Sequence, residues 1–149
     1  MLHSLRPTLF ACLALFAAPG FGQADLIPQP LQGKERVSGC CTYFCLSPLR
    51  DDNDPEVFAV DDLTGDSLMR FDGKLHRLKR ISDRQLHKRK TKWSIGDKFT
   101  QVWSDGTLQV LVEYRITGVD EESHGFKGKV TVIRGQHRRT FPLWGASGW

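Results

Sequence analysis

Between Thr107 and Thr117 the chain alternates with a period of two. Leu108, Val110, Val112, Tyr114 and Ile116 fall on one side, Gln109, Glu113 and Arg115 on the other, and Leu111 is the exception. That spacing belongs to a strand with one buried face, and a helix cannot bring those apolar positions to one side. The strand follows Asp105-Gly106, and a second Asp-Gly pair, Asp72-Gly73, separates Leu68–Phe71 from Leu75–Ile81. Asp-Gly readily adopts the left-handed backbone of a type I′ turn, so both pairs predict hairpins. Phe126–Arg134 alternates again through Val130 and Val132, and Gly135-Gln136 reads as a type II′ turn into His137–Trp144.

Upstream the pattern is weaker. Val57-Phe58-Ala59-Val60 reads as a brief strand after the turn-forming Asp51-Asp52-Asn53-Asp54-Pro55, and Cys40–Leu49 as a short strand or pinned turn. Only residues 82–93 have any helical capacity, and Thr91, Trp93 and crowded positive charge oppose it. The expected fold is therefore all-β: a small antiparallel barrel or sandwich of seven or eight strands ending in a meander.

The first 24 residues read as a cleaved signal peptide. Arg6 gives the positive start, Leu9–Ala18 the ten-residue apolar core, Pro19-Gly20 the break, and Gly22-Gln23-Ala24 the small residues before cleavage. The apolar run is shorter than the roughly 20 residues a membrane-spanning helix needs. Residues 25–39, with Pro28, Pro30, Gly33 and Gly39, form an extended arm, and 40–149 a single β domain. The expected location is periplasmic or secreted, with no membrane-spanning segment left after cleavage. Export also makes nucleic acid a poor target for the chain's basic residues.

Charge is segregated along the sequence. Seven acids and no base lie between Asp51 and Asp66, whereas ten bases face two acids between Arg70 and Lys92. Two such segments can neutralise each other or face different partners. Lys88, Arg89, Lys90 and Lys92 beside Trp93 offer charge and an aromatic ring to an anionic or sugar-bearing ligand, and these five are the expected binding residues. The partner would be a protein or an anionic component of the cell envelope.

Cys40, Cys41 and Cys45 cannot all pair within one chain, so Cys41–Cys45 or Cys40–Cys45 is the expected disulfide, with one thiol left over. No Gly-x-Ser-x-Gly elbow and no His-x-x-x-His or His-Glu-x-x-His spacing occurs, so no catalytic residue, metal or cofactor is assigned. The expected function is non-enzymatic binding. An inhibitor or immunity protein against a secreted wall-acting enzyme is its sharpest form. The alternative is a thiol-based metal- or redox-handling protein built on the three cysteines.

Asp72-Gly73-Lys74 with Leu75 and Leu78, Ile95-Gly96-Asp97-Lys98-Phe99-Thr100, Gly106-x-Leu108-x-Val110, Gly128-Lys129-Val130-Thr131-Val132 and Arg138–Thr140 carry a resemblance over residues 68–149. It is to short exported bacterial proteins of unassigned function. That group often pairs cysteines near its last strands, but Asp120–Ser123 and Trp149 occupy those places here. Ser38-Gly39-Cys40-Cys41-Thr42-Tyr43 also faintly resembles the Ser-Gly-x-x-Tyr run of periplasmic lysozyme inhibitors, with the tyrosine one place late.

Overall fold

A computed structural model describes residues 26–36, 41–50, 54–61, 64–85 and 93–148. Eight strands follow one another: β1 Cys41–Cys45, β2 Glu56–Asp61, β3 Asp66–Phe71, β4 Lys74–Gln85, β5 Lys98–Ser104, β6 Gln109–Val119, β7 Ser123–Arg134 and β8 His137–Gly148. Each pairs antiparallel with the next, and β1 closes the circle against β8. The all-β expectation holds, and the architecture is a closed eight-stranded barrel rather than a sandwich. Closure covers Trp144–Ser147 of β8 with β1, which shortens the free sheet edge and narrows the usual route to strand-to-strand aggregation.

The turns show which local signals mattered. Asp72 and Gly73 both have positive φ, at 50° and 74°, as a type I′ turn demands. At the second Asp-Gly only Gly106 is left-handed, with φ 92°. Asp105 instead acts through its carboxylate, which accepts from the backbone N–H of Thr107 and Leu108 and from the Thr107 hydroxyl. Ser82–Gln85 extends β4 rather than forming helix, after a bulge between Arg80 and Ser82. The last strand runs past Trp144 to Gly148 because β1 pairs with its distal half, Trp144–Ser147. Pro142 lies outside that half, where β8 has only β7 beside it, an edge position that tolerates a proline.

Inward-facing residues fill the barrel. Trp103, Phe44, Phe58, Phe71, Met69 and Leu78 are fully buried and pack with Val110, Val112, Ile116, Val130, Val132 and Leu143 in one cluster. Burying a side chain of this size contributes about 1.5–3 kcal/mol. Phe58 meets Trp103 edge-on at 5.6 Å and stacks on Phe44 at 5.8 Å, geometries that suit the ring quadrupoles. The arm is held at the base of the barrel. Gln29 N–H donates to the Arg70 carbonyl at 2.8 Å and Leu31 N–H to the Glu56 carbonyl at 2.7 Å. Arg36 binds Glu56 at 2.9 Å, Arg70 binds Glu35, and Leu26 joins the core cluster.

Two glycines let the small barrel bend. A Cβ on Gly128 would overlap the Glu113 carbonyl oxygen and the Tyr114 Cα, and one on Gly145 would overlap the Tyr43 carbonyl and the Phe44 ring. Close backbone approach at a barrel corner is a recurrent reason for glycine within a strand. Gly128→Ala should therefore cost at least about 2 kcal/mol, since backbone must move to admit the methyl group. Gly118→Ala, with nothing within 4 Å of its Cβ position, should stay within about 0.5 kcal/mol of the parent. Urea denaturation of the two variants checks the contrast.

Candidate functional site

Outward-facing positions on three adjacent strands build the site. Lys98 and Thr100 on β5, Glu113 and Arg115 on β6, and Lys127 and Lys129 on β7 alternate with Phe99, Tyr114 and Gly128. All nine residues line one open groove of about 380 Å³. The register aligns them in rows. Lys98 is the cross-strand partner of Arg115, and Arg115 of Lys127, so three cations stand side by side. The row ends on β8 at Trp144, partner of Lys127, whose Nζ lies 5.7 Å from the indole centroid. In the next row Thr100, Glu113 and Lys129 align, and Lys129 Nζ sits 3.0 Å from Glu113 Oε2.

The first row is electrostatically unbalanced. Among the described residues no carboxylate lies within ion-pair distance of Lys98, Arg115 or Lys127. Like charges directly opposite each other on a sheet destabilise it by roughly 0.2–1 kcal/mol per pair. Phe99 and Tyr114 stack at 5.0 Å and Tyr114 meets Phe126 at 5.0 Å, so a rigid aromatic wall supports the row. Chemically, the groove can hold an anion on its upper row and a hydrogen-bond donor beside Glu113.

Of the expected binding residues, Lys88, Arg89, Lys90 and Lys92 lie outside the described residues. Trp93 is 39% exposed and packs on Phe99 at 4.7 Å, so it connects the end of the basic segment to the groove. Lys98, Arg115, Lys127 and Lys129 were not singled out by the sequence, because their juxtaposition depends on register across two hairpins. Counting back from Asp105-Gly106 as a two-residue turn would have set Lys98 opposite Glu113; the four-residue connection 105–108 shifts the register by two and sets it opposite Arg115. The two charge-segregated segments touch through Asp66 and Arg77 at 3.7 Å, but Arg77 is well exposed and Asp66 partly so, and such surface pairs contribute little.

The expected Cys41–Cys45 disulfide is corrected: no such bond forms. The two residues occupy opposite ends of β1. A strand rises roughly 3.3 Å per residue, and four residues along it carry their Cα atoms far beyond disulfide reach. Cys40 lies outside the described residues, so the Cys40–Cys45 alternative does too. Burial first, then the nearby Asp54 and Glu56 carboxylates, push the Cys45 thiol up to about 11, with Arg36 opposing. Cys45 is thus a protonated, buried thiol with little nucleophilic character.

A second cluster looks more like catalytic machinery. His76 Nδ1 lies 2.8 Å from Asp105 Oδ2 at the base of the barrel, an Asp–His dyad in outline. His76 Nε2, however, is buried without a hydrogen-bond partner, and Phe71 packs edge-on against the ring at 5.9 Å. Among the described residues no hydroxyl engages that nitrogen, and the dyad ties β4 to the β5–β6 turn. Among the described residues no group of three His, Cys, Asp or Glu side chains is placed to hold a metal ion.

Burial opposes the charge on Asp105, but hydrogen bonds from His76, the Leu108 and Thr107 amides and the Thr107 hydroxyl prevail and hold its carboxyl well below the usual range. A depressed folded-state pKa stabilises the fold above the ordinary carboxylate pKa, and that contribution fades as the pH falls below it. Asp105→Asn should lose about 1–2 kcal/mol at pH 7, the loss of a charged acceptor. It should also show a shallower decline on acidification from pH 5 to about 3. Urea titrations across that range read both effects.

No protein-family model, curated protein or solved structure matches this chain.

Proposed function

We propose that this chain is a non-enzymatic binding protein of the periplasm or extracellular space, most sharply an inhibitor or immunity protein against a secreted enzyme that acts on the cell wall. The observation that carries the reading is the uncompensated row Lys98–Arg115–Lys127 in an open groove on a closed, fully packed barrel. A barrel filled by Trp103, Phe58 and Phe44 leaves recognition to its outer face. Surface-borne cations steer and orient a partner of complementary potential, and their effect weakens with salt. The preceding basic segment, Lys88, Arg89, Lys90 and Lys92, extends the same sign of charge toward Trp93.

An open groove also fits a macromolecule better than a small metabolite. Small-ligand sites enclose 70–90% of their ligand, roughly speaking, whereas this depression is shallow and rimmed by long side chains. No helix among the described residues is long and apolar enough to cross a membrane. The alternative reading, metal or redox handling by Cys40, Cys41 and Cys45, gains nothing from a strand that separates Cys41 from Cys45 and a thiol held protonated.

The test is capture and inhibition. Immobilised protein should retain a wall-degrading enzyme from envelope extract, and the purified protein should lower that enzyme's activity. Arg115→Glu with Lys127→Glu should weaken the interaction by at least about tenfold and flatten its salt dependence, with circular dichroism unchanged. Charge reversal at Lys88–Lys92 should act in the same direction. Retained enzymes that keep full activity at saturating protein would contradict the inhibitor reading.

A further inference from the structure

Glu113 stands in the groove one row from Arg115, with Oε2 on Lys129. That carboxylate restricts the class of anion the groove can take. A run of phosphates crossing the rows would meet Glu113 directly, and like charges at contact range repel. A single carboxylate on the upper row avoids it, while amide or hydroxyl donors beside that carboxylate can reach Glu113 and Thr100.

The upper row suits one carboxylate. Arg115 offers a planar fork that matches carboxylate oxygens two at a time. Lys98 and Lys127 flank it as direct cross-strand partners, each about 4.8 Å away along the sheet. The indole of Trp144 bounds the row beside Lys127. The openness of the groove means that a small free acid would remain mostly in water, so the carboxylate must arrive attached to a larger surface.

We propose that the groove receives one aspartate or glutamate side chain from a loop of a protein partner, with Arg115 as its fork and Lys98 and Lys127 on either side. This rests on the binding-protein reading above and names the chemistry of the contact.

Three labelled probes test it against the full mature chain at low ionic strength: a cyclic peptide carrying a single glutamate among neutral residues, the same peptide with glutamine, and polyphosphate. Fluorescence anisotropy should show the glutamate peptide bound at least about tenfold more tightly than its glutamine counterpart, the scale of one charged hydrogen-bonded contact. Arg115→Gln should abolish that preference. Glu113→Gln should raise polyphosphate affinity several-fold, as removal of a like charge requires, and should change polyphosphate affinity by a larger factor than glutamate-peptide affinity. Equal binding of the two peptides would overturn the proposal. So would polyphosphate binding that exceeds the glutamate peptide and ignores Glu113→Gln. A captured enzyme whose inhibition survives Arg115→Gln would sink the carboxylate seat and leave the inhibitor reading intact. A glutamate-selective groove on a protein that inhibits nothing would do the reverse.

Discussion

The pairing of β1 with β8 is the constraint on which the rest depends. Thr42 to Cys45 lie against Ser147 to Trp144, and this short seam turns a meander into a closed barrel. It is possible only because Gly145 lets the β1 backbone and the Phe44 ring come close. Closure fixes the curvature, and curvature fixes what faces inward: Phe44, Phe58 and Trp103 meet as one aromatic cluster instead of spreading over an open sheet. It also leaves the outer rows rigidly registered, so outward side chains on β5, β6 and β7 have no freedom to slip away from one another.

That rigidity gives the cation row its meaning. In a flexible loop Lys98, Arg115 and Lys127 would spread to relieve their repulsion. Locked as cross-strand partners on a barrel with packed walls, they keep a concentrated positive potential. The neighbouring row shows the opposite solution, where Glu113 and Lys129 neutralise each other. At the base, charge is used for closure: Arg70 ties Glu35 of the arm to the Gly73 carbonyl, Arg134 reaches Asp72 at 2.8 Å, and His76 joins Asp105. One end of the molecule is thus stitched by ion pairs and hydrogen bonds, and one side presents cations with no described carboxylate within ion-pair distance.

Much of the fold was legible because its signals are local. Period-two alternation identified β6, and Asp72-Gly73 and Gly135 supplied turns with the backbone signs those residues favour. Asp105-Gly106 was read correctly as a hairpin but not in its geometry, since the Asp105 carboxylate organises that turn through hydrogen bonds that no dipeptide rule contains. The length of β8 was underestimated because Gly145 looks like a chain breaker until the facing β1 strand requires its lack of a side chain. The arm drew attention only as a proline-rich stretch. Its anchoring by Arg70 and Glu56 is a long-range contact with no local trace. The groove was invisible for the same reason: its cations are dispersed in sequence and meet only through register.

If the row is kept for a ligand at the expense of the fold, weakening it should stabilise the empty protein. Urea unfolding of the parent and of Arg115→Gln, at low and at high ionic strength, measures this directly. At low salt the variant should be more stable by roughly 0.2–1 kcal/mol, the size of relieved cross-strand repulsion, and the gap should close as salt screens the charges. A variant less stable than the parent at low salt, or a difference that salt does not alter, would contradict the view that these cations are held together against their mutual repulsion.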